Sequence, residues 1–364
     1  MGGIKQSDVF SNLKVVEIAG VLAGPSVGMF FAELGARVIK VENPRTGGDM
    51  TRRWRVAGEK PEGNISAYYA SINWGKEVLW LDLYEDEGRE RLLEELKDAD
   101  LLISNLKRKS LKKMGLDPAT IRKQFPKIIY GQIDAFGPNI DRPAFDAVLQ
   151  AEVGFMYMNG HPDRPPAKIP VAVIDVLAAH HLKEGLLIAL MNRDKTGDGQ
   201  VVSASLFDSA IATLVNQASN FLMAEHVAQR MGSLHPNIAP YGEVFVTRDE
   251  KMILLAVGSD FQFERLCRVL GLDELSLDDR FANNHDRIEN RDGLFQILEM
   301  EIKKWDREAL MEELIQKKVP AGSIRTIKEV FDLPEAQRLI LEEKKEDLTT
   351  RVVRSVAFNF GLEN

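Results

Sequence analysis

One acidic residue, Asp175, stands inside an apolar run. From Val171 to Leu177, six of the seven residues are aliphatic. A carboxylate in such a place costs free energy unless it caps a helix, pairs with a cation or does chemistry. It lies just before a helical pattern, and Asp is a favoured N-cap, so capping is its plainest role. Capping and chemistry are compatible. A helix start holds a carboxylate ionised through the dipole and backbone N–H groups. Aliphatic neighbours strip its water and make it a better nucleophile.

Other chemistry-bearing residues are sparser. The run Lys107-Arg-Lys-Ser-Leu-Lys-Lys113 puts five positive charges in seven residues. It could hold phosphates, although such runs more often form a solvated loop and helix face. The turn Gly20-Val-Leu-Ala-Gly24-Pro25-Ser26 follows a strand pattern and precedes a helix, a natural anion site. Its spacing does not match Gly-x-Gly-x-x-Gly, so by pattern alone it reads as a tight β–α turn. The histidines, at 161, 180, 181, 226, 235 and 285, are scattered, and no pair has zinc-ligand spacing with a third donor. The single cysteine, Cys267, sits in the helical pattern Phe263-Leu266-Cys267-Leu270 and reads as a core thiol. Neither a metal site nor a permanently bound cofactor is expected.

The elements that must position these residues alternate. Leu13–Ala19 reads as a buried strand, Pro25–Leu34 as a helix with Pro in its first turn, and Arg37–Glu42 as a second strand. Strands over 76–83, 100–104 and 127–133 follow, with helices over 86–96 and 118–125. This β-α-β alternation argues an α/β fold with parallel strands. Residues 144–159 are helical and apolar, a long helix runs from Asp175 to about Arg193, and Val201–Ser205 is a short strand. A helix covers 207–229. Beyond it the pattern changes to a hairpin, 241–247 with 252–257, and helices over 260–270, 285–303 and 306–317. Val319-Pro-Ala-Gly322 reads as the exit. The expected domains are 1–205 with 330–364, a linker helix over 206–229, and a small α+β domain over 230–329.

Composition sets outer bounds. A chain of 364 residues exceeds one small core. Its 45% apolar and 28% charged content are ordinary for a globular protein. A formal net charge of −8 argues against a nucleic acid or an anionic membrane as partner. No apolar run reaches membrane-spanning length and no signal peptide is seen, so a cytoplasmic protein is expected.

The segments named above, taken in order, resemble the class III CoA-transferase family, which also holds the α-methylacyl-CoA racemases. The resemblance rests on Leu13–Ser26, Leu34–Glu42, Asn73-Trp-Gly-Lys76 before Leu81-Asp-Leu83, and Asn105-Leu-Lys107 with Lys113-Met-Gly115. It continues through Ala135-Phe-Gly137, Phe145–Ala151, the Asp175 run, Arg193–Gly199, His235–Tyr241 and Val319–Gly322.

This resemblance implies a large Rossmann-like domain, a smaller α+β domain and an interlocked dimer of ring-shaped subunits. It implies that Asp175 is the nucleophile, attacking a donor acyl-CoA and passing through an aspartyl-CoA thioester before CoA moves to a free carboxylic acid. CoA and acyl-CoA are then substrates. The implied CoA contacts are Leu22 and Ala23 at the thioester end, Asn105, Leu106 and Lys107 toward the nucleotide, Lys113 at a position usually basic, Ala144, Phe145 and Asp146 along the pantetheine and thioester region, and Leu81.

Several positions depart from the family pattern. Leu22 stands where formyl-CoA transferase has glutamine, and Asn43 where an arginine often meets a CoA phosphate. Arg108 and Lys109 replace a usual Pro-Gly. The small domain lacks the glycine-rich loop of formyl-CoA transferase, so oxalate-type specificity is not expected; Leu22 and the aliphatic surroundings point to a less polar acid, such as a branched, aromatic or dicarboxylic one. Phe145 stands where the racemases carry a catalytic histidine. Racemisation needs a second base, so a transferase is expected over a racemase or epimerase of a branched acyl-CoA. A CoA-binding protein without catalysis is the remaining alternative. From the β-α-β pattern alone, an NAD-binding dehydrogenase would be the reading.

Overall fold

The computed structural model describes residues 8–59, 63–345 and 348–359. The chain divides into two units: Met1–Phe155, Lys168–Val227 and Arg338–Asn364 form the first, Met156–Ala167 and Ala228–Gln337 the second.

In the first unit the aliphatic runs become six strands: β1 (Lys14–Ile18), β2 (Arg37–Glu42), β3 (Lys76–Trp80), β4 (Leu101–Ser104), β5 (Ile129–Asp134) and β6 (Val201–Ser205). They pair in parallel in the order β3-β2-β1-β4-β5-β6. All residues of β1 and β4 are buried, as parallel strands covered on both faces require. The helices are α1 (Ala23–Glu33), α2 (Ala67–Ala70), α3 (Asp86–Leu96), α4 (Arg108–Met114), α5 (Pro118–Gln124), α6 (Asp146–Glu152), α7 (Phe155–Met158), α8 (Val173–Thr196), α9 (Leu206–Ala212) and α10 (Val215–Ala224). The antiparallel pair β10 (Ile340–Lys345) and β11 (Leu348–Val353) ends this unit, after the second unit's elements given below.

Alternate strand residues feed two cores. Val15, Leu101 and Ile129 pack with α1, α6, α8 and α9 on one face. Val16, Leu102 and Tyr130 pack with α3, α4 and α5 on the other. The chain therefore leaves β1 toward one face, into α1, and leaves β4 toward the opposite face, into α4. A crevice opens between the carboxyl ends of these two neighbouring strands, the topological switch point where α/β sheets bind ligands.

The second unit holds a three-stranded antiparallel sheet, β7 (Tyr241–Val246), β8 (Met252–Ala256) and β9 (Ala321–Ile324), in that order. Its helices are α11 (Asp260–Leu270), α12 (Asn284–Glu289), α13 (Arg291–Ile302), α14 (Arg307–Gln316), α15 (Ile327–Phe331) and α16 (Pro334–Gln337). The apolar sides of α11, α13 and α14 close over Phe245, Ile253 and Leu255.

Three expectations change. The single helix over 207–229 is α9 and α10, both in the first unit, broken where Val215 takes a left-handed φ of 44°. The helix over 285–303 breaks at Asn290 into α12 and α13. The exit at 319–322 runs into β9, the third strand of the sheet. Among the described residues no helix is long and apolar enough to cross a membrane.

Candidate active site

Asp175 is not an N-cap. α8 begins two residues earlier than the carboxylate, with Ala172 at the cap position and no side-chain cap of its own. The capping acceptor comes from elsewhere: Asp146, the first residue of α6, accepts the Ile174 N–H at 2.9 Å through Oδ2 and the Gln150 amide at 2.6 Å through Oδ1. Asp175 sits in the first turn of α8, 7% exposed. Among the described residues no donor reaches its carboxylate. Burial, and after it the charge of Asp146, pushes its pKa up to about 7. The same carboxylates bear on Tyr68: burial first, then Asp175, Asp146 and Asp49, hold its phenol up to about 12. Nothing in the sequence pattern singled out Tyr68.

The Asp175 carboxyl lines a cavity of about 580 Å³ at the switch point. Its walls come from the turn after β1 (Gly20–Ala23), the turn after β4 (Asn105–Lys109), the end of β5, and the segment 137–145. A second cavity of about 290 Å³ lies over the ends of β1, β2 and β4 and shares Gly20, Asp49, Leu106 and Lys107 with the first. Volumes of this order suit an organic ligand.

Of the residues expected around CoA, Leu22, Ala23, Asn105, Leu106, Lys107, Ala144 and Phe145 line the first cavity. Leu81 lines the second, beside Asn43. Lys113 lies on the exposed last turn of α4, outside both linings. Asp146 is buried behind the wall, at the start of α8. The basic run is partly neutralised: Arg108 forks onto Asp134 at 2.7 Å, and Lys109 lies 3.1 Å from Asp141. Lys107 has no such partner among the described residues.

The backbone from Ala19 to the Val21 N–H is held by three side chains. Lys40 Nζ donates to Ala19 O at 2.7 Å. Asn105 clamps Gly20 at both ends, accepting its N–H at 3.0 Å and donating to its carbonyl at 2.7 Å. Asp49 accepts the Val21 N–H at 3.2 and 3.3 Å. Val21 has φ 67°, a left-handed conformation that costs a β-branched residue roughly 1–3 kcal/mol. The next N–H groups, of Leu22 and Ala23 at the start of α1, have no acceptor among the described residues.

Beneath the turn lies a buried ionic cluster that sequence reading missed. Glu17 takes Lys40 at 3.0 Å and Lys76 at 2.8 Å, and Lys40 also lies 3.1 Å from Asp49. Lys76 Nζ donates further to Pro25 O and Asn73 Oδ1. Glu42 receives Arg52 through two nitrogens and Tyr69 Oη at 2.7 Å. The alternation of charge within β2, Arg37-Val-Ile-Lys-Val-Glu42, was its only local sign.

The run Gly24-Pro-Ser-Val-Gly28 has the spacing of a hydrolase nucleophile elbow. Ser26, however, lies inside α1 and lines neither cavity, and no histidine lines either. Among the described residues no cluster of three metal-ligating side chains exists.

The family model for CoA-transferase family III matches residues 10–363. A succinate–glutarate CoA-transferase of Agrobacterium fabrum is 39% identical over 333 residues, covering 90% of this chain and 82% of that protein. An acetyl-CoA:oxalate CoA-transferase of Acetobacter aceti is 31% identical over 335 residues, covering 91% and 84%. Among solved structures, a CAIB/BAIF family protein from Brucella suis superposes with a TM-score of 0.84 at 38% identity, covering 96% of this chain and 91% of that one. Matched along nearly its whole length in sequence and in fold, the chain belongs to CoA-transferase family III.

Proposed function

We propose that this CoA-transferase moves CoA from an acyl-CoA donor to a free carboxylic acid with Asp175 as the covalent nucleophile. One observation carries the reading: a buried carboxylate with no donor among the described residues forms part of the wall of the larger cavity. An aspartate kept for structure would be paired or hydrogen-bonded.

The Asp175 carboxylate attacks the donor thioester carbonyl. The C–S bond breaks, CoA leaves as thiolate, and a mixed anhydride remains. The thiolate attacks the aspartyl carbonyl and releases the donor acid as carboxylate, leaving an aspartyl-CoA thioester. The acceptor carboxylate then attacks that thioester, expelling CoA thiolate and forming a second anhydride. Attack of the thiolate on the acceptor's acyl carbonyl gives the new acyl-CoA and restores Asp175. Poor hydration makes the carboxylate reactive and keeps water from the anhydrides. The N–H groups of Leu22 and Ala23, at a helix start, suit the oxygen that turns anionic in each addition.

In this reading the first unit is the CoA-binding domain. The thioester lies in the larger cavity against Leu22, Ala23, Ala144 and Phe145. The nucleotide lies toward Leu81 and Leu106, with Lys107 meeting a phosphate. The succinate–glutarate relative makes succinyl-CoA with a dicarboxylic acceptor the first pair to try. The interlocked dimer belongs to the same reading. α10 has no buried residue and displays Phe221, Leu222 and Met223, a face that a second subunit would cover.

The test is intact-protein mass after mixing with succinyl-CoA, glutaryl-CoA and acetyl-CoA, with borohydride quenching and the Asp175→Ala variant alongside. A CoA adduct, or an aspartate-to-alcohol mass change, in the wild type alone is the expected result. Turnover that survives in Asp175→Ala removes the reading.

A further inference from the structure

Val21 is the one residue of the 19–21 turn with a left-handed φ, and its side chain is β-branched. Such a residue stays there only where its surroundings force it. The peptide N–H of that residue is bonded to the Asp49 carboxylate and to no other acceptor among the described residues. Asp49 is itself fixed: it accepts the Thr51 N–H at 3.0 Å and the Thr51 hydroxyl at 2.9 Å, and lies 3.1 Å from Lys40. Its own N–H donates to Glu42 at 2.8 Å. Burial works against the Asp49 charge, yet Lys40 and Thr51 hold its pKa below the ordinary value.

Relaxing Val21 to a negative φ would turn the following peptide by more than about 100°. The Leu22 and Ala23 N–H groups would then leave the cavity wall. We infer that Asp49 is a positioning residue of the transfer reaction: it holds Val21 left-handed and thereby aims the start of α1 at the reacting carbonyl. The inference rests on the Asp175 reading above. It adds a residue outside the motifs that define the site, reached through Lys40 and Glu17.

The deciding experiment is steady-state transfer from succinyl-CoA to glutarate by Asp49→Asn, alone and combined with Val21→Gly. Asparagine removes the charge that faces Lys40 and weakens the hold on Val21. Glycine adopts a left-handed φ without strain and lessens the need for that hold. For Asp49→Asn, kcat is expected to fall about 10- to 100-fold, with the KM for succinyl-CoA moving less than about threefold. Adding Val21→Gly should then raise kcat about threefold or more.

A kcat within about twofold of wild type in Asp49→Asn, or a rescue below about threefold, overturns the inference. A merely structural role would lower melting temperature and be indifferent to Val21→Gly. If Asp49→Asn fails to fold, Thr51→Val decides, since it removes one clamp on the carboxylate and fills the same space. A fall in kcat with unchanged KM supports the inference, and unchanged kcat overturns it. Deuterium exchange of the 19–24 peptide supplies a readout independent of turnover. Faster exchange in either variant, with the β1 and β4 peptides unchanged, is expected, and unchanged exchange overturns the inference. Survival of turnover in Asp175→Ala would sink the nucleophile reading and leave the exchange result standing, so the two failures are distinguishable.

Discussion

Asp146 caps, from outside, the helix that carries Asp175: its Oδ2 accepts the Ile174 N–H at 2.9 Å. The Ile174 N–H is thereby satisfied without Asp175, whose own carboxylate is buried with no donor among the described residues. Asp146 also adds a negative charge that favours the protonated form of its neighbour. One acid supports the fold and tunes the other.

A pH profile follows. Asp175 must be ionised to attack, and its pKa is pushed up to about 7. The rate should therefore fall as pH drops through that value, approaching tenfold per unit below it. Asp146→Asn keeps an acceptor for Ile174 and removes the charge, so the acid limb should move to lower pH. Measuring kcat/KM for succinyl-CoA across this range checks both; a limb that stays in place removes Asp146 as its cause.

Stability should respond in the opposite sense. The folded pKa of Asp175 lies above its unfolded value, so the folded state loses stability as pH rises from about 4 through 7 and the carboxyl ionises. Asp175→Asn removes that ionisation and should stabilise the protein by on the order of 1–4 kcal/mol above neutrality. At pH near 4 the gain should be close to nil. Thermal melts at the two pH values measure this, and an equal effect at both would contradict it.

Gly28 is constrained by packing. A Cβ there would lie 2.0 Å from Glu17 Oε2 and 3.2 Å from Lys76 Nζ. Glu17 is wholly buried and held by two lysines, so moving it strains both pairs. Gly28→Ala should cost about 2–5 kcal/mol through overpacking and disruption of the buried pair. Urea unfolding that shows no loss would mean that α1 can lift from β1.

Lys107 should act through charge. It lines both cavities, while Arg108 and Lys109 are engaged by Asp134 and Asp141. Lys107→Ala should raise the KM for succinyl-CoA about 3- to 10-fold, less so as salt is added. An effect that does not change between low and high ionic strength would rule out a phosphate contact.

Much of the layer fold was legible in the chain. The boundaries of α3 agree with the 3.6-residue pattern of Asp86–Leu96 because that helix has one buried and one exposed face. β4 stood out as a short aliphatic run because burial on both faces leaves it no polar alternation. The order of motifs was enough to place the family, and Asp175 was conspicuous because a charge among aliphatic residues demands a reason. The breaks at Val215 and Asn290 were not legible, since each depends on local backbone geometry inside a continuous apolar pattern.

By itself the sequence determined the α/β alternation, the family and the acid that its pattern makes conspicuous. Only the tertiary structure decided that Asp175 is free of capping, because the acceptor that replaces it comes from Asp146 on another helix. It alone joined Glu17, Lys40, Asp49 and Lys76 into one cluster beneath the turn. It alone showed that Asn105, an expected ligand contact, also clamps Gly20. The physical reason is common to all three. Local pattern reports which face of an element is buried, but the partner of a buried charge is chosen by strand order, which brings together residues far apart in the chain.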